Sequence, residues 1–264
     1  MDLQLTQKHV LITGGSKGIG LACAETFLNE GARVTLVSRD RANLDAALKT
    51  LSAHHPATSI HTIAADLREA ASGLAVLNNA EAHFGPVDVL VNSAGAAKRT
   101  PPEELNPQVW HDAMQAKYFS YIHMIDPTIQ RMGQRGAGVV VNVIGAGGKV
   151  ASPIHMPGGA ANAALMLATA GLATAYAAKG VRVNAVNPGA TVTERLKEGF
   201  AADARANGIS EEEAMKRTTA RIPLGRMAEP REIADAVVFL ASPRASYISG
   251  VSLTMDGVMT PTVL

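Results

Sequence analysis

The fold is decided by one short stretch, Thr13-Gly14-Gly15-Ser16-Lys17-Gly18-Ile19-Gly20. A β-branched apolar run leads into it, and a helical pattern rich in alanine and leucine follows it. Its glycines permit a tight turn, close approach of the backbone to a pyrophosphate, and packing of the helix on the strand. Because a helix N-terminus offers N–H groups and a positive dipole end to phosphates, the strand-turn-helix context predicts a nucleotide site.

The same alternation of short apolar runs and helical segments continues along the chain. Most of the runs are nearly continuously apolar, as in strands that helices cover on both faces. The pattern predicts an α/β fold, a single doubly wound parallel sheet of about seven strands, with ligands at the carboxyl ends of the strands. The predicted strands are 9–13, 33–38, 59–64, 87–92, 138–143, 182–187 and 251–255, and the predicted helices are 18–30, 40–53, 67–84, 103–132, 158–179 and 229–241.

Composition narrows the functional classes. With 264 residues, 47% of them hydrophobic, we expect a single domain over residues 1–264. A net charge of +1, without a basic cluster among aromatics, favours a small-molecule substrate over nucleic acid or a membrane. The single cysteine, Cys23, is interpreted as a buried apolar residue. No apolar run approaches the roughly 18 residues of a bilayer span, which favours a cytoplasmic protein, and no grouping has metal-ligand spacing.

Several ordered motifs carry a family resemblance. The turn, Asp66-Leu67, Asn92-Ser93-Ala94-Gly95 and the stretch from Arg182 to Gly189 resemble the signatures of the short-chain dehydrogenase/reductase family. The stretch from Pro223 through Gly257 reads like the C-terminal part of 3-oxoacyl-carrier-protein reductases. The resemblance covers essentially the whole chain and implies a Rossmann fold with an NAD(P)-dependent oxidoreductase activity on a carbonyl and alcohol pair.

The resemblance also implies the cofactor-binding positions. They are Gly14, Ser16, Lys17, Gly18, Ile19, Gly20, Ser38, Arg39, Asp66, Leu67, Asn92, Ala94, Gly95, Asn162, Pro188, Gly189, Thr191 and Thr193.

The choice of nucleotide is argued from charge. A carboxylate at the end of the second strand favours NAD, whereas a 2′-phosphate needs a cation. Here Ser38 takes the acidic position, Arg39 follows it, and Lys17 lies in the glycine turn. NADP(H) is therefore expected, with NAD(H) as the alternative because Asp40 offers Arg39 a neutralising partner.

The family's catalytic tetrad, by contrast, is replaced. Registering residues 139–143 and 182–184 against the family pattern needs no gap. The serine position then falls on Gly145, the tyrosine on Gly158 and the lysine on Asn162. Counting on from Trp110 places the asparagine position on Lys117.

Three substitutes are considered for the lost groups. His155 lies three residues before the missing tyrosine, and a histidine transfers protons near neutral pH. Tyr121 lies one helical turn after Lys117 and is a second candidate. Lys117 and Asn162 have in effect exchanged residue types, so they could bond each other and the nicotinamide ribose; chance substitution is the alternative.

Three functional classes follow: an NADP-preferring oxidoreductase with an atypical site and doubtful turnover, a cofactor-binding protein without redox turnover, and a lyase or hydratase that reuses the cleft. The polar segment 193–221 interrupts the alternation and is interpreted as a substrate lid or as a solvated surface helix. The apolar helices near 103–132 and 158–179 predict a homotetramer or a homodimer.

Overall fold

The computed structural model describes residues 1–95 and 97–261, without the side chains of Ala202 and Ala206. The predicted domain, 1–264, therefore includes Ala96 and residues 262–264, which lie outside the described residues.

A seven-stranded sheet forms the centre of the molecule, and it confirms the predicted fold class. The strand order is β3-β2-β1-β4-β5-β6-β7, and every neighbouring pair is parallel. The order reverses between β1 and β4, which is where ligands of doubly wound sheets bind. The strands are β1 His9–Thr13, β2 Arg33–Ser38, β3 Ile60–Ala64, β4 Val89–Asn92, β5 Gly138–Val143, β6 Val181–Pro188 and β7 Ser252–Met255.

Both faces of this sheet are buried, because successive side chains of a strand point to opposite faces. In β1, Val10 and Ile12 join one apolar core with Phe27, whereas Leu11 joins the other core with Tyr121. This double burial explains why the strands read as continuous apolar runs rather than as alternating ones. Cys23 is fully buried in the first core, as predicted.

The helices cover the two faces of the sheet. They are α1 Gly18–Asn29, α2 Arg41–Ser52, α3 Ala70–Phe84, α4 Pro107–Ala113, α5 Ser120–Arg135, α6 Met156–Tyr176, α7 Glu194–Asn207, α8 Glu211–Ala220 and α9 Pro230–Ala241.

The helix predicted over 103–132 differs most from the prediction. It begins at Pro107, where the side chain of Asn106 accepts a hydrogen bond from Val109 N at 3.1 Å. Proline at the first helical position has no N–H to lose, and this cap fixes the later start. A π-helical segment, Met114–Phe119, then joins α4 to α5 and carries Lys117. Such segments are frequent at functional sites.

The segment 193–221 folds as two capped helices, α7 and α8. Thr193 caps α7 by accepting a bond from Leu196 N at 3.3 Å, and Ser210 caps α8 through Glu213 N at 3.1 Å. The helical interpretation is confirmed, with two helices in place of one. Their acidic first turns complement the helix dipoles.

The helical stretch around α6 corrects the expectation that no apolar run is long enough to span a bilayer. Residues 153–179 are long and apolar enough, with a mean hydropathy of 1.3, to cross a membrane by length and composition. The sequence shows no block of large apolar residues there because alanine and glycine contribute much of the hydropathy. Within the most apolar 18-residue window, 28% is buried, and the buried residues of α6 include Ala161, Leu165 and Ala173.

Candidate cofactor and substrate site

The glycine-rich turn lies at the carboxyl end of β1 and opens α1, as predicted. Gly14 has a φ of +67°, and a Cβ there would lie 2.8 Å from backbone atoms of Ser93 and Ala94. A Cβ on Gly20 would overlap the carbonyl oxygen of Gly14. The main chain therefore leaves no room for side chains at these two positions, and the turn stays open to a ligand.

The N-terminus of α1 is suited to an anion. Residues 18–21 are Gly, Ile, Gly and Leu, so no acidic side chain opposes the helix dipole there. Thr193 extends over the turn, since its Cγ2 lies 3.3 Å from the position of a Cβ on Gly18. Lys17 lies 3.4 Å from the Glu194 carboxylate, and both side chains are more than half exposed. A pair of this kind is weak.

The end of β2 is polar and carries no carboxylate directed at Arg39. The Ser16 hydroxyl donates to the Ser38 hydroxyl at 3.0 Å. Asp40 does not neutralise Arg39; it caps α2 by accepting from Asn43 N at 2.9 Å. Within the described residues Arg39 forms no ion pair, so its guanidinium is available to a ligand.

Asp66 and Leu67 lie after β3, beside this cationic end of the cleft. The Asp66 carboxylate accepts from the backbone and side-chain nitrogens of Arg68 at 3.0 Å. These hydrogen bonds, with a smaller contribution from Arg39, lower the pKa of Asp66. Leu67 is buried. The Asp66 carboxylate is thus ionised, and Arg68 takes up part of its hydrogen-bonding capacity.

Asn92 lies beneath the predicted cofactor site. Its side chain is fully buried and donates to Asn142 at 3.0 Å, while Asn142 donates to Thr169 at 3.0 Å. This chain of bonds ties β4 to β5 and α6 beneath the cleft. Because the Asn92 side chain has no exposed surface, it supports the floor of the cleft, and its predicted contact with a nucleotide stays a prediction.

The remaining predicted cofactor positions border the same crevice. Ala94 N bonds to the Thr13 hydroxyl at 3.2 Å, and Gly95 packs on the π-helical segment. At the end of β6, the Thr191 hydroxyl donates to Gly189 O at 3.3 Å, next to Pro188. The ends of β1, β4 and β6 are thus brought together as the sequence predicted.

At Gly158, the predicted position of the family's tyrosine, an imidazole lies close to the main chain. A Cβ on Gly158 would lie 2.5 Å from Nε2 of His155 and 2.8 Å from Cβ of Ala97. His155 Nδ1 is buried and has no hydrogen-bond partner among the described residues. Burial lowers the pKa of His155, and the nearby cations Arg99, Arg195 and Lys117 lower it further. The residue closest to the tyrosine position is thus a histidine held mainly in its neutral form.

At Gly145, the predicted position of the family's serine, the main chain faces a side-chain amide. Gly145 has a φ of +128°, and a Cβ there would lie 3.3 Å from Nδ2 of Asn162. Gly147, in the same turn, borders both Asn162 Nδ2 and the His155 ring. Asn162 is buried at the start of α6. Gly145, Gly158, His155 and Asn162 therefore form one small cluster.

Lys117 is buried on the opposite wall and does not pair with Asn162. Its ammonium group donates to the Tyr121 hydroxyl at 2.8 Å and to Val143 O at 3.2 Å. Burial lowers the pKa of Lys117 to about 7, and Arg195 contributes to this shift. Of the two alternatives for Lys117 and Asn162, the direct bond is not formed in this structure: Val143 O, at the end of β5, and the Tyr121 hydroxyl hold the lysine.

Tyr121 is an unsuitable substitute phenol. Its side chain is fully buried, and its hydroxyl donates to Val143 O at 2.5 Å. Burial raises the pKa of Tyr121, so it keeps its proton. Its role is to hold Lys117 in place.

Two arginines near His155 were missed by the sequence analysis. Arg195 is in the first turn of α7 and donates to Gly95 O at 3.3 Å. Arg99 lies in the loop that Thr100 N joins to Ile154 O at 3.0 Å. Sequence offers one signal for Arg195, its place two residues after the predicted contact Thr193; it offers none for Arg99, whose position depends on this contact between distant loops.

Comparison with known proteins agrees with this geometry. A family model described as enoyl-(acyl carrier protein) reductase matches residues 14–260. A 3alpha-hydroxysteroid dehydrogenase from Mediterraneibacter gnavus is 31% identical over 97% of this chain and 98% of its own length. L-sorbose reductase from Gluconobacter frateurii, solved with NADPH and L-sorbose, superposes with a TM-score of 0.92 at 29% identity over the full length of both chains.

A second solved structure is also similar to this chain. It is a short-chain oxidoreductase from Pseudomonas aeruginosa PAO1, bound to NADPH and described as containing an atypical catalytic centre. Its TM-score is 0.87 at 29% identity, covering 98% of this chain and all of that one. The family model, the full-length relatives and the seven-stranded sheet lead to one conclusion: the chain belongs to the short-chain dehydrogenase/reductase family.

Proposed function

We propose that this protein is an NADP(H)-dependent oxidoreductase that interconverts a carbonyl compound and an alcohol, with His155 handling the proton in place of the family's tyrosine. The observation that carries the proposal is the His155 ring beside Gly158, where the tyrosine side chain would start. A histidine at this place is competent for general acid-base catalysis near neutral pH.

The chain's own residues fit the dinucleotide. The turn at Gly14 and Gly20 has room for a pyrophosphate only because side chains are excluded. Ser38, Arg39 and Lys17 offer hydroxyl and cationic groups to a 2′-phosphate. L-sorbose reductase and the Pseudomonas oxidoreductase both contain NADPH, which supports NADP(H) over NAD(H). The nicotinamide would supply or accept the hydride.

The protonation state of His155 determines how the rates of oxidation and reduction change with pH. Its pKa is lowered below the ordinary 6.5, so the neutral ring is the main species at pH 7. A neutral ring accepts the proton of an alcohol, whereas an imidazolium ion donates one to a carbonyl oxygen. Alcohol oxidation should therefore be supported at and above neutral pH, and carbonyl reduction should rise as the pH falls below about 6.5.

The loss of the tetrad limits the expected rate. No hydroxyl stands at Gly145, and a missing proton donor costs about 10² to 10⁴-fold. Hydride transfer itself depends on the position and orientation of the reactants. We therefore propose a slow enzyme on ordinary ketones. The second candidate is a cofactor-binding protein without turnover, which the lack of a side-chain hydroxyl at Gly145 favours.

Residues 193–221 are proposed to be a lid on this single domain. A cavity of about 570 Å³ lies between α7, α8 and segment 225–232, and its lining includes Leu196, Phe200 and Met215. Space under α7 permits it to move relative to the cleft.

We also propose a homotetramer or a homodimer. Leu167, on the outer face of α6, is 77% exposed, and Ala160, Ala163 and Ala170 are exposed on the same helix. An unpaired apolar face of this kind suits contact with a second copy of the chain. Light scattering at micromolar concentration tests it, and a monomer mass would reject it.

The proposed activity is tested in two stages. Fluorescence titration with NADPH and NADH is followed by a screen of ketones, aldehydes and alcohols at pH 5.5 to 9. We expect His155→Gln to lower the rate by about 10²-fold or more, while the exposed control His111→Gln leaves it unchanged. No binding of either nucleotide contradicts the proposal. Binding without turnover in the whole screen supports the second candidate.

A further inference from the structure

Basic side chains converge on the substrate side of the cleft from three separate elements. Arg195 comes from α7, Arg99 from the loop after β4, and Lys117 from the π-helical segment. The three are the cations that lower the pKa of His155, and no carboxylate acts on the ring beside them. The imidazole therefore faces positive charge on several sides.

The two arginines lie on the same side of α7. Arg195 and Gly199 are one helical turn apart, so they share a face of the helix. The Arg99 guanidinium carbon lies 3.6 Å from the position of a Cβ on Gly199, so this side chain lies against that face. Arg195 reaches Gly95 O from the same helix. Arg99 is thus in van der Waals range of α7, one helical turn from Arg195.

Most of the hydrogen-bonding capacity of these arginines is free. An arginine has five N–H donors, and Arg195 uses one of them on Gly95 O. Within residues 1–95 and 97–261, neither arginine forms an ion pair. Glu198, which is exposed and one helical turn after Arg195, is the carboxylate that acts on Arg195, and it forms no ion pair with it among the described residues. Glu194 is paired with Lys17.

We propose that Arg99 and Arg195 bind an anionic group of the substrate, a carboxylate or a phosphate, so that the enzyme acts on anionic carbonyl compounds or alcohols. The inference rests on the proposed function and adds the substrate class to it. Guanidinium groups bind carboxylates and phosphates through paired, charge-assisted hydrogen bonds. The anion would also offset the positive charge around His155 and Lys117.

The test compares acids with their neutral esters. The substrates are 2-oxobutanoate, 3-oxobutanoate and 4-oxopentanoate, each beside its methyl ester, with NADPH as reductant. For at least one acid we expect kcat/KM to exceed that of its ester about tenfold. Arg99→Gln and Arg195→Gln should each abolish this preference, because kcat/KM falls more for the acid than for its ester. Arg99→Lys and Arg195→Lys should restore part of it, because charge returns without the paired geometry.

Matched control variants and a measurement of NADPH affinity separate loss of the anion site from a general loss of charge or of cofactor binding. Lys98→Gln and Arg205→Gln remove exposed positive charges from the same loop and helix and should keep the preference. NADPH affinity distinguishes a substrate anion from a cofactor phosphate: it should stay within about twofold in Arg99→Gln and Arg195→Gln. A large loss of NADPH affinity with an unchanged acid-to-ester ratio would assign the arginines to the cofactor and overturn the inference.

Binding is also measured without turnover. The three oxo acids are titrated by calorimetry into the NADP⁺-loaded protein, with which they cannot react. Binding that both glutamine variants lose, without any activity, would support the anion site and count against the proposed function alone. Equal reduction of acids and esters would overturn the anion site and leave the proposed function intact.

Discussion

Glycines stand on both sides of the crevice, but they have opposite structural meanings. At Gly20 a side chain would meet the carbonyl of Gly14, a main-chain atom fixed by the path of the turn. At Gly158 it would meet the ring of His155, a side chain that another residue can replace. The cofactor side is thus determined by the backbone, whereas the catalytic side is determined by which side chain occupies the space. The cofactor side therefore tolerates few substitutions, whereas substitutions on the catalytic side can introduce a different chemistry.

The largest effect is expected from Gly20→Ala. A methyl group there cannot avoid the Gly14 carbonyl, so we expect a loss of about 3 kcal/mol of folding stability and of measurable nucleotide binding. Urea unfolding and fluorescence titration measure the two effects. The control is Gly171→Ala in α6, where no described atom lies within 4 Å of the new Cβ; it should be neutral or slightly stabilising. Normal nucleotide binding by Gly20→Ala would show that the turn is not fixed by its backbone.

Gly158→Tyr tests whether the His155 side chain alone fills the space beside Gly158 on the catalytic side of the crevice. The single variant should lose about 2 kcal/mol of stability because the new side chain overlaps the His155 ring. His155→Ala should relieve most of that loss in the double variant, leaving a coupling energy of about 1 to 2 kcal/mol. Additive effects of the two changes would mean that His155 does not fill the space. Thermal unfolding of the four proteins completes the cycle.

Lys117→Met tests whether the buried amine of Lys117 titrates with a lowered pKa. The folded-state pKa of about 7 is lower than the ordinary 10.5, so between these values the unfolded chain binds a proton that the native state lacks. Stability from this group therefore rises as the pH increases from about 7 to about 10, and Lys117→Met should flatten that rise. The exposed control Lys98→Met should keep the wild-type slope in urea unfolding.

The same variant also tests the cofactor role of Lys117. If the amine contacts the ribose, NADPH affinity should fall about tenfold. An affinity within a few-fold of wild type would instead assign Lys117 to the support of Val143 and Tyr121.

The smallest effects are expected at the exposed cations of the cofactor side. Arg39→Gln should weaken NADPH about tenfold and leave NADH unchanged, because only NADPH carries the 2′-phosphate. Lys17→Gln should have a weaker effect, about threefold, since its exposed pair with Glu194 already offsets part of its charge. Glu194→Gln is the control and should strengthen NADPH slightly. Equal losses for both nucleotides would contradict the proposed selectivity.

Most of the strands and helices could be predicted from local patterns in the sequence. The predicted strand and helix bounds mostly agree with the structure within two or three residues, because apolar period and turn chemistry are local properties. The exception, the late start of α4, depends on the cap at Asn106 and on Pro107. The positions of Gly145, Gly158 and Asn162 followed from the gapless spacing between two recognisable strands.

The sequence by itself determined the glycine-rich turn and the parallel sheet, and it predicted the family's catalytic positions at Gly145, Gly158, Asn162 and Lys117. Only the tertiary structure decided which side chains surround those positions. It brought His155 to Gly158, placed Arg99 against α7, buried Asn92 beneath the cleft and bonded Lys117 to Val143 O. The physical reason is that these side chains are placed by contacts between distant segments, such as Thr100 N with Ile154 O, and such contacts leave no periodic pattern in the sequence.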